Sequence, residues 1–394
     1  MAEIEFSICI DPTQDTSDLQ RLLAKSHIRY RLQTIAWDDY IHELMQVAIY
    51  GRGPDISQSG APLVSDLVAM NGIRPFEKSE IAMLGGAGVF HRAVWDSSRR
   101  VNEERVWAVP WLADPRAIFY WRDMLESAGV TEESAFESFD QMEDTLARLR
   151  ANGVQTPWVI PTGRSVSLLQ VAASWIWACG GDFVSWDGRK ALIDQPEALA
   201  GLRVYYGLHR YLPETDGPID ISEAVKFFQE KKAAVTMGSP RIGMSVLEHL
   251  PEQRTNLGIA LPPGPPLVGG SSLVIWKHTK QVETTFALVR YLTSKEAQVE
   301  YLKQTGYLPS RRDALAEPPF ATDPFFQGLA RALEHGRPFP VVRLGGLLEG
   351  RLILPLSGIW EDIHTDPGRD IDQTMVDHLA PFAKRINIML GSTG

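Results

Sequence analysis

Apolar and polar positions alternate along the first 70 residues in a regular order of elements. Ile4 to Ile10 is a β-rich run and reads as a first strand. Leu19, Leu22 and Leu23 recur at helical spacing, and Ile28 to Ile35 returns to a two-residue period. After Trp37, Asp38 or Asp39 can cap a helix whose inner face holds Tyr40, Leu44, Val47 and Ala48, with Gly51 and Gly53 as its stop. Pro54 to Gly60 reads as a short strand and a small-residue loop, followed by a helix over about 62–70. This β-α-β-α order predicts a parallel sheet with right-handed crossovers, and such sheets bind ligands beyond the carboxyl ends of their strands. Asp11, Trp37 and Ser59 fall at such ends.

The middle of the chain is organised around Val106 to Trp121. Val106–Val109 and Ala117–Trp121 read as two buried strands. Pro110 and Pro115 cannot donate to a ladder, so the stretch between them is expected to be a crossover elbow between two sheets, carrying Trp111, Asp114 and Arg116. Ser138 opens a capping box before a helix with Phe139, Met142, Leu146 and Leu149 inward. Trp158–Ile160 and Ala233–Met237 read as strands, and Leu168–Cys179 as a helix apolar nearly all round. Trp186-Asp187-Gly188 is expected as a surface hairpin turn, and Ser222 as a helix cap. Pro262-Pro263-Gly264-Pro265-Pro266 is the stiffest piece and a second crossover candidate. Gly269–Ser272 leads into a strand, Ser294 starts another capping box, and the last amphipathic helix covers about 371–389.

A length of 394 residues makes two domains the expectation. The formal charge of −10 comes with no Lys/Arg run, which argues against nucleic acid and anionic membrane surfaces as partners. No apolar run is long enough to span a bilayer. Cys9 and Cys179 read as buried free thiols, with a disulfide between them left open. No Cys pair has zinc spacing and the nine His form no HExxH, so neither a metal nor another cofactor is expected. No GxSxG or Walker loop occurs.

The eleven tryptophans change the picture. A sugar presents hydroxyls at its edge and C–H patches on its faces, so a binder needs flat apolar plates and fixed polar groups. Trp37 and Trp111 are the first candidates for plates, with Trp175 and Trp360 behind them and Trp276 assigned to packing. Asp11, Asp38, Asp114 and Arg312 are candidates for the polar edge, with the hydroxyls of Ser59 and Ser271. Gly238 and Gly270 would let backbone amides approach a ligand. Three charge-assisted contacts plus one stacked indole would give binding on the order of micromolar.

Five segments together resemble the extracellular solute-binding proteins of ABC importers, in the sugar-binding group related to maltose-binding protein. They are Trp37-Asp38-Asp39-Tyr40, Gly53-Pro54-Asp55-Ile56, Val109–Asp114 running to Trp121, Gly269–Ser272 with the helix ending at Tyr291–Ala297, and Gly306–Arg311. Phe227–Gly238 fits the same order. The pattern departs from the family at Tyr120-Trp121-Arg122 and shows no export signal. The resemblance implies an α/β, two-lobed type II periplasmic-binding-protein fold with a ligand cleft between lobes. One lobe would hold 1–110 and 265–311, the other 115–262 and 313–394, with hinges near 110–115, 262–266 and 308–318. It implies a monomeric, periplasmic or extracellular protein that is not an enzyme. Such a protein would close on a mono- or oligosaccharide and deliver it to a membrane permease. The alternatives are a binder of another solute, such as glycerol phosphate, a polyamine or a peptide, and a glycoside hydrolase. For a hydrolase, no carboxylate spacing singles out an acid and a base.

Overall fold

The computed structural model describes residues 3–10, 15–37, 39–100 and 103–391. Among the described residues, ten strands form two sheets: β1 (Ile4–Ile10), β2 (Tyr30–Ala36), β3 (Ile56–Gly60), β4 (Val109–Pro115), β5 (Ala117–Trp121), β6 (Thr156–Val159), β7 (Ala233–Gly238), β8 (Leu257–Ala260), β9 (Val268–Ile275) and β10 (Leu308–Pro309). The chain divides into two compact units. Unit 1 is Met1–Asp114, Val268–Leu333 and Pro338–Leu347; unit 2 is Pro115–Leu267, Glu334–Arg337 and Leu348–Gly394.

Unit 1 carries the six-stranded sheet in the order β10-β4-β9-β3-β1-β2. The first three strands are parallel, as their alternation with helices requires. β9 enters antiparallel to β3, setting Gly60 opposite Ser271 and Ser59 opposite Ser272. Gly270 has φ +136°, and a Cβ there would collide with the carbonyl oxygen of Leu112, so only glycine lets β9 run this close to β4. The helix Tyr40–Tyr50 buries Tyr40 and Leu44 against Leu63, Val64, Leu67 and Trp276, and it stops at Gly51 in the left-handed region.

The stretch 110–115 is strand β4 rather than an irregular elbow, and the chain passes from unit 1 to unit 2 at its end, between Asp114 and Pro115. Its neighbour β10 is two residues long and pairs only with Ala113 and Leu112, so Pro110 and Pro115 lie beyond that ladder and break none of its bonds. Gln298 supplies the missing order. Its buried amide donates to the Trp111 carbonyl and to Ser310 Oγ, both at 2.8 Å, and Ser310 Oγ donates to the Pro110 carbonyl. Residues 313–333, expected in the other half, group with unit 1. The short helix Arg312–Leu315 packs on the helix Lys295–Thr305 and on β10, and Glu317 pairs with Lys295.

Unit 2 carries the four-stranded sheet β6-β7-β5-β8, with β6 and β7 parallel and β5 antiparallel to both β7 and β8. Its core is aromatic. Trp175 on the helix Val166–Ala178 meets Trp158 at 6.4 Å and Tyr205 at 5.5 Å, and Trp360 meets Tyr206 at 4.9 Å. Gly201 is required where the helix Pro196–Gly207 crosses the backbone at Trp175, because a Cβ would strike it. Asp220, rather than Ser222, caps the helix Ile221–Gln229, accepting from Glu223 N at 2.7 Å. Cys9 and Cys179 are free, and burial pushes the Cys9 thiol up to about 12.

Candidate functional site

In unit 1 the carboxyl ends of β1, β2 and β3 fall on one edge of the sheet, because the three strands run parallel. Two of the expected site residues, Asp11 and Asp38, lie outside the described residues. Trp37 follows β2 directly. It is half-buried, with its ring edge-on to Tyr40 at 5.3 Å. The Tyr40 hydroxyl in turn lies 3.1 Å from where a Cβ on Gly60 would sit. Gly60 ends β3, opposite Ser271, and stands at the N-terminus of the helix Ala61–Ala69 without a side-chain cap. Gln58 holds one hydroxyl beside it. Its amide donates to Ser271 Oγ at 2.7 Å, while its carbonyl oxygen accepts from Cys9 N at 2.9 Å. Trp37, Ser59 and Ser271 are therefore brought to one edge, together with Tyr40 and Gln58, which the sequence did not single out. Tyr40 looked like the first core position of its helix. The Gln58 pairing spans 213 residues and leaves no local signal.

Behind this edge Asp66 is buried on the helix Ala61–Ala69. Its Oδ2 accepts from Gly346 N at 3.0 Å and Leu347 N at 3.3 Å, so it caps the first turn of the helix Gly345–Thr365 from outside. Desolvation outweighs these bonds and raises the carboxyl from 3.8 to about 6.

In unit 2 the matching edge holds the ends of β6 and β7 and the start of β5, where Ala117 pairs with Gly238. Arg116 precedes β5 and is 5% exposed. Its guanidinium donates through Nε to Gln170 Oε1 at 3.1 Å, and through a second nitrogen to the same oxygen. Gln170 lies on the helix Val166–Ala178. Ser239 caps the helix Pro240–His249 through a bond from Arg241 N at 3.3 Å. Two helices thus begin at this edge, and helix N-termini favour partial negative charge.

Several expected roles are corrected by burial. Trp111 is not an open plate: Tyr301 stacks on it at 5.7 Å and Phe6 meets it at 6.0 Å. Trp175 and Trp360 are core residues of unit 2, with neighbouring aromatic rings packed against them. Gly270 serves the approach of one strand to another rather than a ligand. Gly238 ends β7, where a Cβ would meet the end of Ile242. Asp114 is half-buried at the end of β4, where the chain leaves unit 1. Arg312 is exposed; the guanidinium built into unit 1 is that of Arg311, which donates to the Leu84 carbonyl at 3.1 Å and pairs with Asp313. Among the described residues, no three His, Cys, Asp or Glu side chains cluster as metal ligands. No helix of the described residues is long and apolar enough to cross a membrane.

Comparison with known proteins places this architecture. Proteins of Brucella abortus and Brucella suis named as binding proteins are each 20% identical over 293 residues, 73% of this chain and 69% of theirs. The GacH receptor of Streptomyces glaucescens, studied unliganded and with acarbose, superposes with a TM-score of 0.82 at 17% identity, over 99% of both chains. The sugar-binding protein MalE of Xanthomonas citri gives 0.82 at 19% identity, over 99% of this chain and 98% of its own. UgpB of Mycobacterium tuberculosis, in complex with glycerophosphocholine, gives 0.78 at 18% identity, over 100% and 99%. The fold is the two-lobed α/β fold of the periplasmic binding proteins. The family profile described as bacterial extracellular solute-binding protein matches residues 20–328. The chain belongs to the bacterial extracellular solute-binding protein family.

Proposed function

We propose that the protein captures a carbohydrate outside the cytoplasm and delivers it to the membrane permease of an ABC importer, without catalysing a reaction. One observation carries this reading. At the carboxyl edge of the unit 1 sheet, a half-buried indole and a tyrosine adjoin a glycine, with the Ser271 hydroxyl held by the buried Gln58 amide. An indole offers a flat apolar plate to a pyranose face at low entropic cost, and the amides near Gly60, at an uncapped helix N-terminus, suit its hydroxyl edge, with Ser59 and Ser271 buried behind them. The kinship in fold with a sugar-binding MalE and with an acarbose receptor supports the choice of ligand class. Ligand contacts from both lobes would shift the protein toward a closed form, which the permease would recognise. The protein would act as a monomer, free or held at the membrane by a lipid.

A second reading is favoured by the buried Arg116–Gln170 pair and the two helix N-termini of unit 2, which suit a phosphate ester. The glycerophosphocholine complex of UgpB supports that alternative. Solution scattering tests the binding mode. The radius of gyration is expected to fall on saturation with an oligosaccharide, and an unchanged profile under conditions where binding is measured independently would refute closure.

A further inference from the structure

Trp186 is 70% exposed, in a chain that buries most of its large aromatic side chains. It sits at the tip of a hairpin in unit 2 whose flanks are fully packed. Phe183, Val184, Ala191 and Ile193 are buried, Val184 bridges Ala191, and Phe183 meets Trp177 edge-on at 6.3 Å. The turn itself is stiff. Ser185 Oγ donates to Asp187 Oδ1 at 2.6 Å and accepts from Arg189 N and Lys190 N, and Gly188 takes φ +68°. An indole held out in this way loses little freedom when a partner covers it.

The hairpin does not stand alone. Ala191 N donates to Asn387 Oδ1 at 2.8 Å, tying it to the C-terminal helix Ile371–Gly391. On that helix Lys384 and Arg385 precede Ile388 by four and three residues, so they share its face. Ile388 is 64% exposed, and both cations are exposed. Arg189 and Lys190 are exposed beside Trp186, where the one carboxylate in the turn, Asp187, approaches Arg189 only to 3.9 Å. The Ala191–Asn387 bond thus makes the hairpin, with Trp186, Arg189 and Lys190, and the last turns of the helix, with Lys384, Arg385 and Ile388, adjoining elements of unit 2, in a protein whose formal charge is −10.

We propose that this patch rests on an anionic phospholipid surface. Indoles settle at the headgroup level of bilayers, and long cationic side chains reach the lipid phosphates while their stems cover apolar surface. Each Lys or Arg near such a surface is attracted to it, and the attraction is screened by salt. The net charge of −10 keeps the contact weak and reversible, and the local cations fix which part of unit 2 faces the lipid.

The test is co-sedimentation of the full chain with vesicles of equimolar phosphatidylglycerol and phosphatidylcholine, compared with pure phosphatidylcholine, at low ionic strength. Binding is expected only to the anionic vesicles and should weaken at about 0.15 M salt. Trp186→Ala and the pair Arg189→Glu with Lys190→Glu should each reduce the partition coefficient, the charge reversal by at least about tenfold. All of these side chains are exposed, so the melting temperature of the protein itself should be unchanged in the variants. Equal binding to neutral vesicles, insensitivity to the variants, no partition at low salt, or equally tight capture of a soluble anionic polysaccharide would each overturn the proposal.

Discussion

The two sheets end differently. At the carboxyl edge of the six-stranded sheet, Trp37 stays half-buried against Tyr40, beside hydroxyls and a glycine. At the matching edge of the four-stranded sheet, Trp158 and Trp175 are fully buried and the polar feature is the Arg116–Gln170 pair. A tryptophan next to a turn therefore carries no fixed meaning. Trp37 lies at the end of the edge strand β2, with neighbours on one side, so part of its ring is left to solvent. Trp175 lies on a helix with buried residues on every face, so its ring is enclosed by Trp158 and Tyr205. One edge offers apolar plates, and the other offers fixed donors.

The sharpest way to break this contrast is to truncate both indoles. Trp175→Ala removes a fully buried ring and is expected to cost about 3–5 kcal/mol in denaturant unfolding. A loss below about 1 kcal/mol would show that its surroundings are not close-packed.

Asp66 gives the stability of unit 1 a pH dependence. Its carboxyl is held at about 6 in the folded protein, above its usual 3.8, so the folded state binds this proton more tightly than the unfolded one. The resulting stabilisation is complete below the unfolded value and is lost as pH rises through about 6. Asp66→Asn abolishes that loss. Relative to the parent, the variant should gain about 2–3 kcal/mol between pH 4 and pH 7. A difference that does not change with pH would show that the carboxyl is not desolvated.

The smallest expected effect on stability belongs to Trp37. Trp37→Ala should cost about 1 kcal/mol or less in unfolding and weaken carbohydrate binding about tenfold, near 1.4 kcal/mol. The reverse pattern, a large stability loss with unchanged affinity, would move Trp37 into the core.

The elements were largely legible because periodicity and caps are local. The Ser138 and Ser294 caps form as their spacing demands, accepting from Gln141 N and Ala297 N. The strand nature of 110–115 was not legible, since it depends on Gln298 and on β10, nearly 200 residues away. The site was legible only in part for the same reason. Trp37 and Ser59 could be picked by their place at strand ends, and Ser271 as a hydroxyl of the Gly-Gly-Ser-Ser run. Gln58 and Gln170 act through partners distant in sequence, and the burial of Trp111 depends on Tyr301.

Isothermal titration with a panel of mono- and oligosaccharides, run beside glycerol phosphate and its diesters, tests the ligand class most directly. Saturable heat with at least one sugar, weakened about tenfold by Trp37→Ala, is the expected result. Saturation by a phosphate ester alone, with no heat from any sugar and no effect of Trp37→Ala, would contradict it.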